Sequence, residues 1–231
     1  KGRDIRSIRG KDIAMIFQEP MTSLSMMHTV GDQIMEVIQL HDQVTKPAAR
    51  TRAIEMLDLV GIPRPQRLID EYPFRLSGGM RPRALIAKAL ARHPQIVFAH
   101  RPTTALDVTT QANILDLMRD LQRRYDMALL FITHDLGVVA EIADDVAVMY
   151  LGKIIERADA DTLFNSPRHP YTQALLNSIP KIAMQRDALI PIQGMVPSPY
   201  RRPSGCPFHP RCAQAMEICT RVEPRDVSLS E

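Results

Sequence analysis

The run Ser77-Gly78-Gly79 stands directly before a helix-forming stretch. Two residues without side chains at a helix start leave backbone N–H groups open to an anion, an arrangement suited to phosphate. Ser77 adds a hydroxyl, as a cap or as a ligand. Read alone, the same three residues also make a plain turn and N-cap. Three further polar landmarks follow apolar runs. Gln18 closes Ile13–Phe17, the segment Pro102–Asp107 follows Ile96–Ala99, and His134 follows Leu129–Ile132. The carboxyl ends of strands are where α/β proteins hold ligands. Any one of these landmarks has a structural reading, but four in a fixed order point to a phosphate-handling site.

The elements that must position them are legible from periodicity. Ile13–Phe17, Ile96–Ala99 and Leu129–Ile132 are short apolar runs that read as buried strands. Apolar residues recur at helical spacing over 31–41 and 47–60, with Pro47 suited to a first turn and Gly61 and Pro63 ending the segment. Residues 79–92, 109–125 and 135–143 read as further helices, and 109–125 carries an apolar stripe of Ile114, Leu117, Met118 and Leu121. Val146–Tyr150 and Lys153–Glu156 form a hairpin across Leu151-Gly152. Strands alternating with helices predict an α/β domain with a largely parallel sheet. After residue 158 prolines thicken, from Pro167 to Pro210, and all three cysteines appear, which predicts a smaller, loop-rich appendage.

Composition narrows the function classes. At 231 residues, 45% apolar and 24% charged, the chain can bury a sizeable core. A net charge of +3, aromatics at 5% and no Trp give no nucleic-acid footprint. No stretch approaches the ~20 apolar residues that cross a bilayer. Three cysteines within 206–219, an odd number, argue for a reduced setting rather than a disulfide framework.

The motifs together resemble the ABC ATPase family over essentially the whole length. Gln18 matches the Q-loop, Leu76–Met80 the signature motif, Ala105-Leu106-Asp107 the D-loop and His134 the switch histidine. The resemblance narrows to the ATPase subunits of dipeptide/oligopeptide importers, a group that includes nickel importers. It is carried by Phe17–Leu24, Glu71-Tyr72-Pro73, Pro102–Val108, Arg168–Leu176 and Gly205–Cys212. It implies a P-loop NTPase core with a helical signature subdomain over 1–157, and an importer-type extension over 158–231. It also implies ATP and magnesium, and two subunits meeting head to tail, as a homo- or heterodimer. Permease subunits would join them, with a solute-binding protein acting indirectly, on the cytoplasmic face of the membrane. Ser77, Gly78 and Gly79 would meet the γ-phosphate of ATP held mainly by the other subunit. Gln18 would sense magnesium and the attacking water, His134 would hydrogen-bond the γ-phosphate, and Asp107 would link the two sites.

Several positions depart from that pattern. The two Gly-Lys pairs, Gly10-Lys11 and Gly152-Lys153, lack the earlier Gly and the following Ser or Thr of a P-loop. The first residue is Lys1, and a lost N-terminal portion is the expectation. Where the family has Asp-Glu-Pro, this chain has His100-Arg101-Pro102. Imidazole replaces carboxylate poorly toward magnesium, and guanidinium cannot orient a water as a base. Loss of the catalytic carboxylate costs about 10²–10⁴ in rate. The competing reading has Arg101 contacting phosphate directly. Pro82 replaces the family's usual Gln, costing about 3 kcal/mol in a helix interior but nothing in a first turn. Phe74-Arg75 replaces the usual His-Gln.

Cys206, Cys212 and Cys219 have five and six intervening residues, wider than paired structural zinc ligands. Three readings stand: zinc, plain reduced thiols, or a four-iron four-sulfur cluster of the kind some dipeptide-importer ATPases carry. The cluster needs a fourth ligand, for which His209 is the nearby candidate. Two functions remain in competition: an ATP hydrolase energising uptake of peptides or a related solute, and a non-hydrolysing subunit that offers its signature motif to a partner's ATP.

Overall fold

The computed structural model describes residues 2–18, 23–104, 106–179 and 191–228. Lys1, Glu19, Pro20, Met21, Thr22, Ala105, Pro180 and Glu231, all within segments named above, lie outside the described residues. Two compact units divide the chain, Lys1–His134 and Asp135–Glu231. The division falls earlier than the 157/158 boundary read from sequence texture. The hairpin assigned to the ATPase domain forms its own two-stranded sheet and packs within the second unit.

In the first unit, helix α1 (Gly2–Ile8) precedes strand β1 (Ile13–Ile16). Helices α2 (Val30–His41), α3 (Lys46–Leu59), α4 (Pro65–Leu68) and α5 (Met80–Leu90) lead to strand β2 (Ile96–His100). Helix α6 (Val108–Tyr125) then leads to strand β3 (Ala128–Ile132). The three strands pair parallel in the order β1-β2-β3, with Ile16 opposite Ala99 and His100 opposite Ile132. Helices α2, α3 and α5 pack on one another, and α5 also packs on β1.

Local chemistry explains the helices. Thr29 caps α2 by accepting from the Asp32 N–H, and Asp107 caps α6 by accepting from the Thr110 N–H. On α6, Ile114, Leu115, Met118 and Leu121 make the buried face. Gly31 donates its N–H to the Ile69 carbonyl at 2.8 Å, and a Cβ there would stand 2.3 Å from Ile69 Cγ1. Only glycine admits so close an approach.

The strands are less buried than their apolar sequences predict. Ala14, Ile16, Val97 and Ala99 are buried on one face, whereas Met15, Phe17, Leu130 and Ile132 are exposed. The reading of β1 and β3 as buried strands is therefore corrected to strands with one exposed face. Both are edge strands of the described sheet, and one face of that sheet stays open.

The second unit begins with helix α7 (Leu136–Ile142), capped by Asp135, and continues into strands β4 (Asp145–Tyr150) and β5 (Lys153–Asp159). Leu151 and Gly152 turn between them with φ of 46° and 79°, both positive as a tight hairpin turn of matching twist requires. Helices α8 (Ala160–Asn165) and α9 (Pro170–Asn177) follow. Val146, Val148 and Leu163 form a small core with Val139, Ile155 and Tyr171 packed against it. The extension is attached through Phe208, which is 2% exposed and packs edge-on to Tyr150 and Tyr171. Arg211 donates to the carbonyls of Ile192 and Gln193 and to the Tyr150 hydroxyl.

Candidate functional site

Parallel pairing brings three of the landmarks to one edge. Gln18 lies two residues past Ile16, His100 ends β2, and His134 lies two residues past Ile132. The registers place all of them, with Arg101, at the carboxyl edge of adjacent strands. Gln18, His100 and Arg101 are half-buried, and His134 is exposed. Arg101 donates its N–H to the Ile132 carbonyl at 2.8 Å and holds φ at 48°, a left-handed conformation uncommon outside glycine. The backbone thus turns sharply where β2 ends, next to buried Pro102 and Thr103.

The residues of this edge accept an anion better than they hold magnesium. Strand β2 ends in an imidazole and a guanidinium with no carboxylate at either position. A hard cation finds no oxygen donor in that pair, so His100 and Arg101 do not fit magnesium. A guanidinium does fit a phosphate oxygen.

The signature turn is built separately, at the start of α5. Leu76 is buried and anchors it, while Ser77 and Gly78 are exposed. The Ser77 carbonyl accepts from the N–H groups of Met80 and Arg81 at 3.1 and 3.2 Å. The helix has Gly79 as its N-cap and no side-chain cap, so the capping role considered for the Ser77 hydroxyl is corrected. A backbone carbonyl closes the turn instead, and the hydroxyl stays available to a ligand. A Cβ at Gly78 would meet nothing within 4 Å, so the turn faces open space there. Pro82 is the third residue of α5, inside the first turn where its missing N–H has no intrahelical partner to lose. It carries no interior penalty.

Asp107 sits at the start of α6 and is fully engaged locally. Its carboxylate accepts from the Thr110 N–H at 2.9 Å and the Thr110 hydroxyl at 2.7 Å. These bonds, the hydroxyl first, hold its pKa below the ordinary carboxylate value. Thr110 also reaches the signature turn, since a Cβ on Gly79 would stand 3.3 Å from Thr110 Cγ2. The signature and D-loop segments therefore meet within one chain through a residue the motif reading did not single out. An acid three positions before a hydroxyl at the head of an amphipathic helix was the available signal.

Two more supporting residues escaped the sequence reading. Arg81 donates to the carbonyls of Pro73 and Phe74, pinning the short turn before the signature. Gln33, 3% exposed, accepts from the Ser25 N–H at 2.8 Å and donates to the Ser25 and His28 carbonyls. It fixes the loop leading into α2. Lys88 Nζ donates to the same Gln33 oxygen at 3.4 Å, and burial lowers its pKa against the opposing pull of Glu36.

In the second unit, the Cys206 N–H donates to the Cys219 carbonyl at 2.9 Å, and all three thiols are half-buried. His209 Nδ1 lies 2.9 Å from the Cys206 carbonyl. Among the described residues no group of three or more His, Cys, Asp or Glu is placed to hold a metal ion. The donor set needed by an iron–sulfur cluster or a zinc ion is not assembled in this arrangement.

Comparison with known proteins bears on the family and the fold. A family model described as ABC transporter matches residues 1–104, and one for the oligopeptide/dipeptide transporter C-terminal region matches residues 155–219. The dipeptide transport ATP-binding protein DppD of Haemophilus influenzae is 51% identical over 220 residues, 95% of this chain and 67% of the relative. The oligopeptide transport ATP-binding protein AppD of Bacillus subtilis is 52% identical over 221 residues, 96% of this chain and 67% of the relative. Among solved structures, the dimeric ATP-binding cassette MJ0796 bound to ADP and Pi has a TM-score of 0.61 at 25% identity. That match covers 69% of this chain and 68% of the other. With two strands ending in the expected polar residues and the signature turn opening α5, this chain belongs to the ABC transporter family, in its branch of dipeptide and oligopeptide transport ATP-binding proteins.

Proposed function

We propose that this chain is an ATP-binding subunit that couples nucleotide to the import of peptides or a related small solute. It does so by offering the open turn Ser77–Gly79 to the phosphates of an ATP shared with a second ATPase subunit. The observation that carries this is the exposed, side-chain-free face at Gly78, fixed at a helix start by buried Leu76 and by the Ser77 carbonyl. Backbone N–H groups at such a start favour a phosphate. Gln18 and His134, at the carboxyl edge of the sheet, would position water and phosphate at the chain's own edge. Permease subunits and, indirectly, a solute-binding protein would complete the assembly. No helix among the described residues is long and apolar enough to cross a membrane, which suits a subunit held at the cytoplasmic face by such partners.

A second reading rests on His100 and Arg101. With no carboxylate at either position, this chain's own edge supplies no general base there, and Arg101 instead pairs with phosphate charge. In that reading hydrolysis occurs only at the site where the partner contributes the catalytic carboxylate. Cys206, Cys212 and Cys219, with His209 as the nearby fourth candidate, are the residues that would hold a cluster.

Both readings are tested in the assembled transporter reconstituted in vesicles, by ATP-dependent peptide uptake with chemical counting of phosphate released. Gly78→Arg, which fills the open face of the turn, is expected to reduce uptake at least tenfold. Uptake that is indifferent to ATP or to Gly78→Arg overturns the main reading. One phosphate per assembly in a single turnover supports the second reading, and two per assembly overturns it.

A further inference from the structure

Helix α9 opens on a residue that can titrate. Pro170, at its first position, has no N–H. Tyr171 therefore supplies the first one, and His169 Nδ1 accepts it at 3.1 Å. An imidazole accepts only through an unprotonated ring nitrogen, so this cap requires the neutral ring with its proton on Nε2. The half-buried His169 ring also lies against Phe208, with centroids 5.9 Å apart and planes tilted by 51°. Phe208 is 2% exposed and is the one buried residue of 191–228. A single imidazole thus closes the start of α9 and packs on the ring that anchors the extension.

We infer that His169 is an acid-sensitive clasp: its neutral ring holds both α9 and residues 191–228, and a proton on Nδ1 releases them. With that proton in place, two N–H donors face each other at the Tyr171 contact. The ring then turns away from Tyr171 and, with the same rotation, from Phe208. The charged and titratable groups around it come from three elements. Glu156 of β5 opposes opening, since its carboxylate favours the imidazolium. That carboxylate is already engaged with the N–H groups of Arg168 and His169, at 2.6 and 3.0 Å. Tyr171 of α9 and Tyr150 of β4 pack on Phe208 through their rings. The Arg168 side chain is exposed, and Arg211 of the extension is turned to the Tyr150 hydroxyl. Burial outweighs Glu156 and sets the pKa of His169 below the ordinary histidine value. Between about 6.5 and that lower value the unfolded chain takes up the proton first, so stability falls as pH drops through the window. Below it the folded ring is charged and the clasp is open.

The test follows the full chain by NMR between about pH 8 and pH 5, reading the His169 ring carbons, the Tyr171 amide and the Phe208 ring protons. All three are expected to shift with one midpoint, below about 6.5. Protection of the Tyr171 amide against hydrogen exchange should fall about fivefold across it, the scale of one helix cap. His169→Asn keeps a cap acceptor that does not titrate, so the Tyr171 and Phe208 signals should stay in place over the same range. Glu156→Gln removes the carboxylate that favours the charged ring and should move the midpoint lower, a readout that holds even where His169→Asn does not fold. A His169 titration that leaves Tyr171 and Phe208 unmoved overturns the clasp. So does a joint shift that persists in His169→Asn, or a midpoint that Glu156→Gln leaves in place or raises.

Discussion

Gly79 of the signature turn and Thr110 of helix α6 are in close contact: a Cβ added to Gly79 would lie 3.3 Å from Thr110 Cγ2. Thr110 in turn holds Asp107 by two hydrogen bonds. The signature turn and the segment that opens α6 thus share one side chain.

The contact makes Gly79→Ala and Thr110→Ser coupled. Gly79 has φ −75° and ψ −20°, so alanine meets no backbone strain, only the Thr110 methyl. Gly79→Ala should cost about 1 kcal/mol, and Thr110→Ser should relieve at least half of it by removing that methyl. Urea unfolding of the four proteins in the cycle measures this, and strictly additive effects reject it.

Asp107→Ala should lower Tm by about 2–4 °C, with Asp107→Asn recovering most of the loss, because the amide oxygen still accepts from the Thr110 N–H. The folded pKa of Asp107 is lowered, so the advantage of the ionised aspartate is complete above the ordinary carboxylate value near 4. It is lost as pH falls through the folded value. Thermal melts of the aspartate and asparagine forms should converge in acid, and a gap that widens there contradicts the assignment.

His93 provides a second pH dependence of opposite chemistry. Its ring packs on Tyr125 with centroids 4.3 Å apart, and burial, then Arg52, Arg124 and Arg92, lower its pKa. Between the folded value and about 6.5 the unfolded chain takes up the proton first. Stability therefore falls as pH drops through that window and levels off below it. His93→Asn, which tolerates the φ of 50° at this position, should flatten the slope. Denaturant midpoints from pH 8 to pH 5 decide the matter, and an unchanged slope in the variant excludes His93 as its source.

Phe208→Ala should cost the second unit about 3–5 kcal/mol, the usual range for removing a fully buried ring. Phe208 fills the space between Tyr150, Tyr171 and His169, and no other residue of 191–228 is buried. Limited proteolysis should then cleave within 191–228 much faster, with helices α8 and α9 persisting. Unchanged cleavage would show that Arg211, through Tyr150 and the 192–193 carbonyls, holds the extension unaided.

Sequence alone determined whatever depends on neighbours within a few positions. The apolar runs of β1, β2 and β3, the stripe of α6 and the hairpin turn at Leu151-Gly152 were all legible, because helix and strand periods and positive φ are local properties. The family was legible as a resemblance carried by the short motifs around Gln18, Ser77–Gly79, Asp107 and His134. Helices α8 and α9 carried readable signals that the density of prolines masked: an Asp159 cap and Pro170 at a first position.

Only the tertiary structure decided what hangs on distant partners. It put Pro82 in a first turn, since the helix start is set by Leu76 and the Ser77 carbonyl. It left Met15 and Leu130 exposed, which their apolar character alone does not reveal. It brought Thr110 to Gly79. The Gly79–Thr110 contact is a packing outcome between segments tens of residues apart, and no periodicity records it.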